Sequence, residues 1–142
     1  MEFYPMPLFV KLAVENMERS LHWYSNVLGF ESVFELPDDD GQAVMAHIRG
    51  QKYQDIMLVS DSKSHAKRVK GQGVILNMTV DDVDSFATRA NELKADIVEG
   101  PVDRPWNARE LVLKDPDGYL ITLSMVIDKQ KTFTEVMGQP GQ

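Results

Sequence analysis

A shift of 66 residues lays this chain over itself. Val10, Leu12 and Val14 fall on Leu76, Met78 and Val80, and Met17, Leu21, Tyr24 and Val27 fall on Val83, Ala87, Ala90 and Leu93. The match is one of pattern more than identity. It runs through a stretch with period two and then one with period near 3.6, so a strand followed by a helix is repeated. Such an internal duplication restricts the chain to two similar modules packed side by side.

Within the first copy, Leu8 to Val14 alternates as a strand, with Val10, Leu12 and Val14 on one face and Phe9, Lys11 and Ala13 on the other. Asn16 is an N-cap candidate, and Met17, Leu21, Tyr24 and Leu28 mark a helix that Gly29 ends. Strands over Phe30–Leu36, Ala43–Arg49 and Tyr53–Ser60 follow, with Asp40-Gly41 as a hairpin signal between the first two. The second copy has a strand over Gly73–Val80, cap candidates Asp81 and Asp82, and a helix to about Lys94. A strand beginning at Ile97 is expected to be cut short by Gly100-Pro101. Two further strands, Arg109–Lys114 and Tyr119–Ile127, flank the turn Asp115-Pro116-Asp117-Gly118. Each copy therefore reads β-α-β-β-β.

The expected organisation is a single domain over residues 1–142: a first module at 8–60, a connector at 61–72, a second module at 73–127 and a tail at 128–142. A chain of this length buries roughly 70% of its unfolded surface, enough for a core without staples. No cysteine is present, which removes disulfides and thiolate chemistry. No apolar run is long enough to span a bilayer and no secretory pattern opens the chain, so a cytoplasmic protein without membrane contact is expected. The net charge of −7 opposes phosphate-based nucleic-acid binding and favours cationic small molecules. The cluster Lys63, Lys67, Arg68 and Lys70, with His65 beside it, reads as a solvated connector.

One strand face in each copy carries the helix-facing apolar series, and the other is mixed. On that mixed face lie Phe9, Lys11 and Ala13, then Ile75, Asn77 and Thr79, then Leu120, Thr122 and Ser124. With Met57 added, this face is too apolar for simple exposure and suits a ligand or a partner subunit. Trp106, on the bend after Pro105, either caps a core or meets that ligand. The histidines His22, His47 and His65 have no metal-ligand spacing, and glycine loops for phosphate and serine-nucleophile motifs are absent. His47, which shares its strand face with Met45 and Arg49, is the one weak candidate for proton transfer.

The string NMERSLHWYSNVLGF (Asn16 to Phe30), the paired modules and DPDGYLIT (Asp115 to Thr122) resemble the glyoxalase / bleomycin-resistance / dioxygenase superfamily, the vicinal oxygen chelate proteins. The resemblance spans roughly residues 8–127 and implies an α+β fold of two tandem βαβββ modules, forming a curved mixed sheet with a concave ligand-binding face. Metal enzymes of the family place His and Glu ligands at positions that fall here on Phe9, about Met57, Ile75 and Thr122. None offers a nitrogen or carboxylate, so no metal and no cofactor is expected, and the metal-dependent glyoxalase, dioxygenase and fosfomycin activities lose support. Pro105-Trp106-Asn107-Ala108-Arg109-Glu110 is similar to the P-W-G-x-R-E segment of bleomycin-resistance proteins, with Asn107 in place of Gly.

That branch implies a metal-independent homodimer that sequesters a small molecule, such as a cationic aromatic antibiotic. Trp106 would stack, Phe9 and Met57 would wall the site, and Lys11, Asn77, Thr79, Thr122 and Ser124 would orient the guest. Arg109 and Glu110 would fix the loop or a guest group. The alternative is a lyase or isomerase of the same superfamily that acts on a small metabolite through His47 or a carboxylate.

Overall fold

The computed structural model describes residues 4–6, 8–51, 53–61 and 72–138, without the side chains of Phe133 and Met137. The basic cluster and His65 lie outside the described residues. The chain divides into two compact units, residues 1–72 with 115–118, and residues 73–114 with 119–142.

The first unit holds β1 (Val10–Val14), α1 (Met17–Leu28), β2 (Glu31–Pro37), β3 (Ala43–Arg49) and β4 (Asp55–Ser60). Its mixed sheet has the order β1-β4-β3-β2, with β1 parallel to β4 and the other pairs antiparallel. A tight hairpin cannot join parallel strands, so α1 serves as the crossover. The Asn16 side chain accepts a hydrogen bond from the Arg19 N–H, and Gly29 closes the helix at φ 72°. Leu12, Val14, Ala46, Ile48, Ile56 and Leu58 are buried with Met17, Tyr24, Val27 and Leu28. Leu21 departs from the expected stripe, because fully buried Ser20 takes the inward position and Leu21 sits at the margin.

The turn Asp115–Gly118 belongs with this unit. Buried Asp115 accepts from the Tyr24 hydroxyl at 2.7 Å, and Asp117 accepts from the Glu15 N–H at 3.0 Å and the Ser20 hydroxyl at 3.3 Å. The two carboxylates thus tie the turn to polar groups at the start and middle of α1.

The second unit repeats the plan with β5 (Ile75–Thr79), α2 (Val83–Glu92), β6 (Asp96–Arg104), β7 (Ala108–Lys114) and β8 (Leu120–Val126), in the order β5-β8-β7-β6. A short α3 (Phe133–Met137) follows, opened by a Thr132–Glu135 capping box. Asp82 caps α2, and Val83, Ala87 and Ala90 are its buried residues. Leu93 is not equivalent to buried Val27; it is the C-cap, 49% exposed, because α2 ends before that turn.

Gly100-Pro101 does not cut its strand short. β6 runs on to Arg104, with a cis Gly100-Pro101 bond and register shifts around it. A β-bulge absorbs the missing donor of Pro101 while pairing resumes at Val102↔Glu110.

Candidate functional site

Strand register, more than any loop, assembles the face of each sheet turned away from its helix. In the first unit, Lys11, Met57, His47 and Phe34 are successive cross-strand partners and form one row over four strands. Ala13, Val59, Met45 and Leu36 form the next. Phe9 precedes β1 with the parity of Lys11 and is 40% exposed.

In the second unit, Asn77, Thr122, Val112 and Glu99 make one row, and Thr79, Ser124, Glu110 and Val102 the row beside it. Five residues singled out from the sequence, Asn77, Thr79, Thr122, Ser124 and Glu110, are therefore near neighbours on a single surface. Their hydroxyl, amide and carboxylate groups form a compact hydrogen-bonding patch.

Trp106 stands at the rim of that patch, 47% exposed, in the turn between β6 and β7. Its indole N–H donates to Glu110 Oε2 at 3.1 Å, while Arg104 Nε donates to Glu110 Oε1 at 3.0 Å. Arg104 also grips Glu99 with both terminal nitrogens, and its guanidinium lies 5.7 Å from the Trp106 ring centroid. Hydrogen bonds from Arg104 hold Glu99 below its ordinary range, and Glu99 followed by Glu110 push Arg104 upward. Two carboxylates against one guanidinium leave this corner net negative.

The loop conformation depends on Asn107. It sits at φ 63°, the left-handed region that glycine enters freely and asparagine tolerates best among the others. Its side chain exchanges two hydrogen bonds with the backbone of Asp128, at 2.8 and 2.9 Å. The glycine-to-asparagine departure therefore keeps the turn and ties it to the segment after β8.

Arg109 stands on the opposite face of β7. Successive residues of a strand point to opposite faces, so it lies on the helix side when Glu110 does not. There it donates to Asp84 of α2 at 3.0 Å and to Asp103 of β6 at 2.8 Å. It fixes α2 and β6 and is not part of the patch with Trp106.

His47 has partners that sequence reasoning missed. Its Nε2 meets Asp55 Oδ2, Arg49 Nε donates to the same oxygen at 2.9 Å, and Tyr4 Oη donates to Oδ1. The Tyr4 hydroxyl in turn accepts from the Tyr53 N–H, and Arg49 lies 3.7 Å over the Tyr4 ring. Burial would raise the Asp55 carboxyl, but the hydrogen bonds from Tyr4, His47 and Arg49 outweigh it and hold the group low. Asp55 and Arg49 are register partners, visible only once β3 and β4 pair; Tyr4, distant in sequence, gave no signal. A mainly apolar cavity of about 290 Å³, lined by Pro5, Met6, Leu8, Tyr53 and Asp55, adjoins the cluster. Two clefts of about 500 Å³ flank α1, lined by residues such as His22, Ser32 and Glu35 and, in the other, Glu15, Glu18 and Gln42.

The resemblance would place metal ligands at Phe9, about Met57, Ile75 and Thr122. Met57 offers a thioether, Thr122 a hydroxyl, and Phe9 and Ile75 hydrocarbon alone. Among the described residues, no three His, Asp or Glu side chains come together at ligand distance. Among the same residues, no helix is long and apolar enough to cross a membrane.

Comparison with known proteins adds a family to this geometry. Residues 8–123 match the model of the Glyoxalase/Bleomycin resistance protein/Dioxygenase superfamily. No curated protein sequence matches the chain. Among solved structures, TioX from Micromonospora sp. ML1 is 24% identical, with a TM-score of 0.69 over 84% of this chain and 97% of that one. TnmS3, an antibiotic binding protein from Streptomyces sp. CB03234, is 23% identical, with a TM-score of 0.66 over 83% and 93%. A superfamily member from Sphaerobacter thermophilus DSM 20745 is 23% identical, with a TM-score of 0.68 over 88% and 98%. These likenesses carry the fold, and the match over residues 8–123 carries the membership: the chain belongs to the Glyoxalase/Bleomycin resistance protein/Dioxygenase superfamily.

Proposed function

We propose that this protein binds a small, planar, cationic molecule without metal and without turning it over, as an antibiotic-sequestering protein would. The observation that carries this reading is the corner built by Trp106, Glu110, Arg104 and Glu99. A half-exposed indole is anchored through its N–H, so its ring plane is set before any guest arrives. A flat cation gains there from the ring face and from the net negative carboxylates. Asn77, Thr79, Thr122 and Ser124 supply donors and acceptors beside it. The overall charge of −7 acts in the same direction. TnmS3, an antibiotic binding protein of the same fold, supports the reading.

A homodimer is part of the proposal. Val74, Ile75, Val126 and Ile127 are exposed apolar side chains that a second copy would cover. Sedimentation velocity reads this directly; a monomer at all concentrations refutes it.

The binding test is a tryptophan fluorescence titration against cationic aromatic antibiotics in a Trp23→Phe background, which leaves Trp106 as the reporter. Saturable quenching is the expected result, with aliphatic amines inert. A ring stack contributes about 0.5–1.5 kcal/mol beyond area burial, so Trp106→Ala, followed by calorimetry, weakens binding roughly several-fold. Affinity equal to wild type in that variant removes the assigned role.

A further inference from the structure

The bulge in β6 brings two carboxylates to one spot. Residues 99 and 104 are an odd number apart, so on a regular strand their side chains would point to opposite faces. Here Glu99 pairs with Val112 and Val102 with Glu110, three steps on β6 against two on β7, and the extra residue resets the parity. Glu99, Arg104 and Glu110 therefore share the open face of the second unit's sheet. Backbone pairing at Val102↔Glu110, Asp103↔Arg109 and Arg104↔Ala108 already joins the two strands, so the Arg104 side chain is not needed to hold them. What it does is fill the corner. Its terminal nitrogens donate to the two oxygens of Glu99 at 2.9 and 3.0 Å, and its Nε donates to Glu110 at 3.0 Å. Its guanidinium carbon lies 5.7 Å from the Trp106 ring centroid. A flat cation is thus seated where two carboxylates and a half-exposed indole converge. That seat is at a rim: the Glu99 side chain is 51% exposed and that of Arg104 20%, so the guanidinium can swing into water while the carboxylates stay.

We propose that this corner receives the amidinium or guanidinium group of a small guest, and that Arg104 is the tethered occupant such a guest replaces. This rests on the binding reading above and narrows it, from flat cations in general to those with two parallel N–H donors. The fork matters because the two Glu99 oxygens accept side by side, a geometry that a single ammonium does not match. On arrival the amidinium takes Glu99, the ring attached to it lies along Trp106, and Arg104 turns to solvent with its charge intact. A side chain on so short a tether competes at an effective concentration of roughly millimolar order. The affinity of a guest is therefore scaled down by the fraction of molecules in which Arg104 has left its place.

The test is a fluorescence titration of Trp106 in the full chain with Trp23→Phe, using benzamidine as probe. Benzamide serves as the neutral isostere and benzylamine as the cation without a fork. The expected order of affinity is benzamidine, then benzylamine, then benzamide. Arg104→Gln, which frees both carboxylates, should tighten benzamidine about 10-fold, the scale of two half-exposed ion pairs together. Lys114→Gln removes the same charge from the far end of β7, roughly 20 Å along the strand, and should leave the affinity unchanged. If circular dichroism shows Arg104→Gln unfolded, Arg104→Lys, which keeps the charge and loses the fork, should tighten it by a smaller factor. Equal benzamidine affinity in wild type and the folded Arg104 variant overturns the proposal. An equal rise in Lys114→Gln overturns it too, as does benzamide binding as tightly as benzamidine. Quenching by cationic aromatic antibiotics, with no gain for benzamidine in Arg104→Gln, sinks this inference and leaves the binding reading standing. No quenching by any cation in either protein removes both.

Discussion

Gly100 and Asn107 show how much of the second unit rests on single backbone positions. A Cβ on Gly100 would lie 2.4 Å from the Glu110 carbonyl oxygen, and its φ of 96° is closed to other residues. The neighbouring atom is backbone and cannot swing aside. Gly100→Ala should therefore cost about 2–4 kcal/mol, in the range of severe core changes, measured as a lowered urea midpoint at unchanged slope. At Asn107 two effects separate. Asn107→Gly keeps the left-handed φ and loses two hydrogen bonds, about 1–2 kcal/mol net. Asn107→Val loses the same bonds and adds backbone strain of about 1–3 kcal/mol. Thermal denaturation of the pair should rank valine clearly below glycine; equal values would mean that the turn does not depend on its φ.

Among the elements, α1 was the most legible, since Asn16, the apolar spacing and Gly29 are local signals that capping chemistry enforces. Ser20 escaped that reading because a hydroxyl is buried only where a distant partner waits, here Asp117. The same contact turns Asp115–Gly118 from a plain hairpin turn into a clamp on the helix. Tyr24→Phe tests it: deleting a buried hydroxyl that donates to a carboxylate should lower stability by about 1–3 kcal/mol in chemical denaturation. A change within error would show that the clamp is carried by Asp117 alone. β6 outruns its local signal for a related reason. Pro101 signals the end of pairing in an isolated strand, yet β7 supplies enough partners to carry the strand through a bulge.

At the scale of the molecule, the cluster of Tyr4, His47, Arg49 and Asp55 makes stability depend on pH at both ends. Desolvation, outweighed by hydrogen bonds from Tyr4, His47 and Arg49, leaves Asp55 below its ordinary 3.8 in the folded state. Its contribution is full above 3.8 and is lost as pH falls through the lower folded value. Tyr4 is shifted the other way, first by desolvation and then by its bond to Asp55, so its folded value lies above 10.0. Its contribution is present below 10.0 and fades as pH rises through that higher value. Urea midpoints measured across both limbs should fall at each end, and Tyr4→Phe should flatten the alkaline one; an alkaline limb identical to wild type would assign it to other tyrosines.

The amino-acid sequence by itself determined the duplicated βαβββ plan, the caps of α1 and α2, and the mixed faces. Each follows from local periodicity or capping chemistry and needs no distant partner. Tertiary structure alone decided which residues meet: Glu110 with Trp106 and Arg104, Arg109 with Asp84 on the other face, and His47 with Asp55 and Tyr4. Those pairings depend on strand register and on the parity of the pleat, where a slip of one residue inverts every side chain, and such a register is fixed only when whole strands bury their faces together.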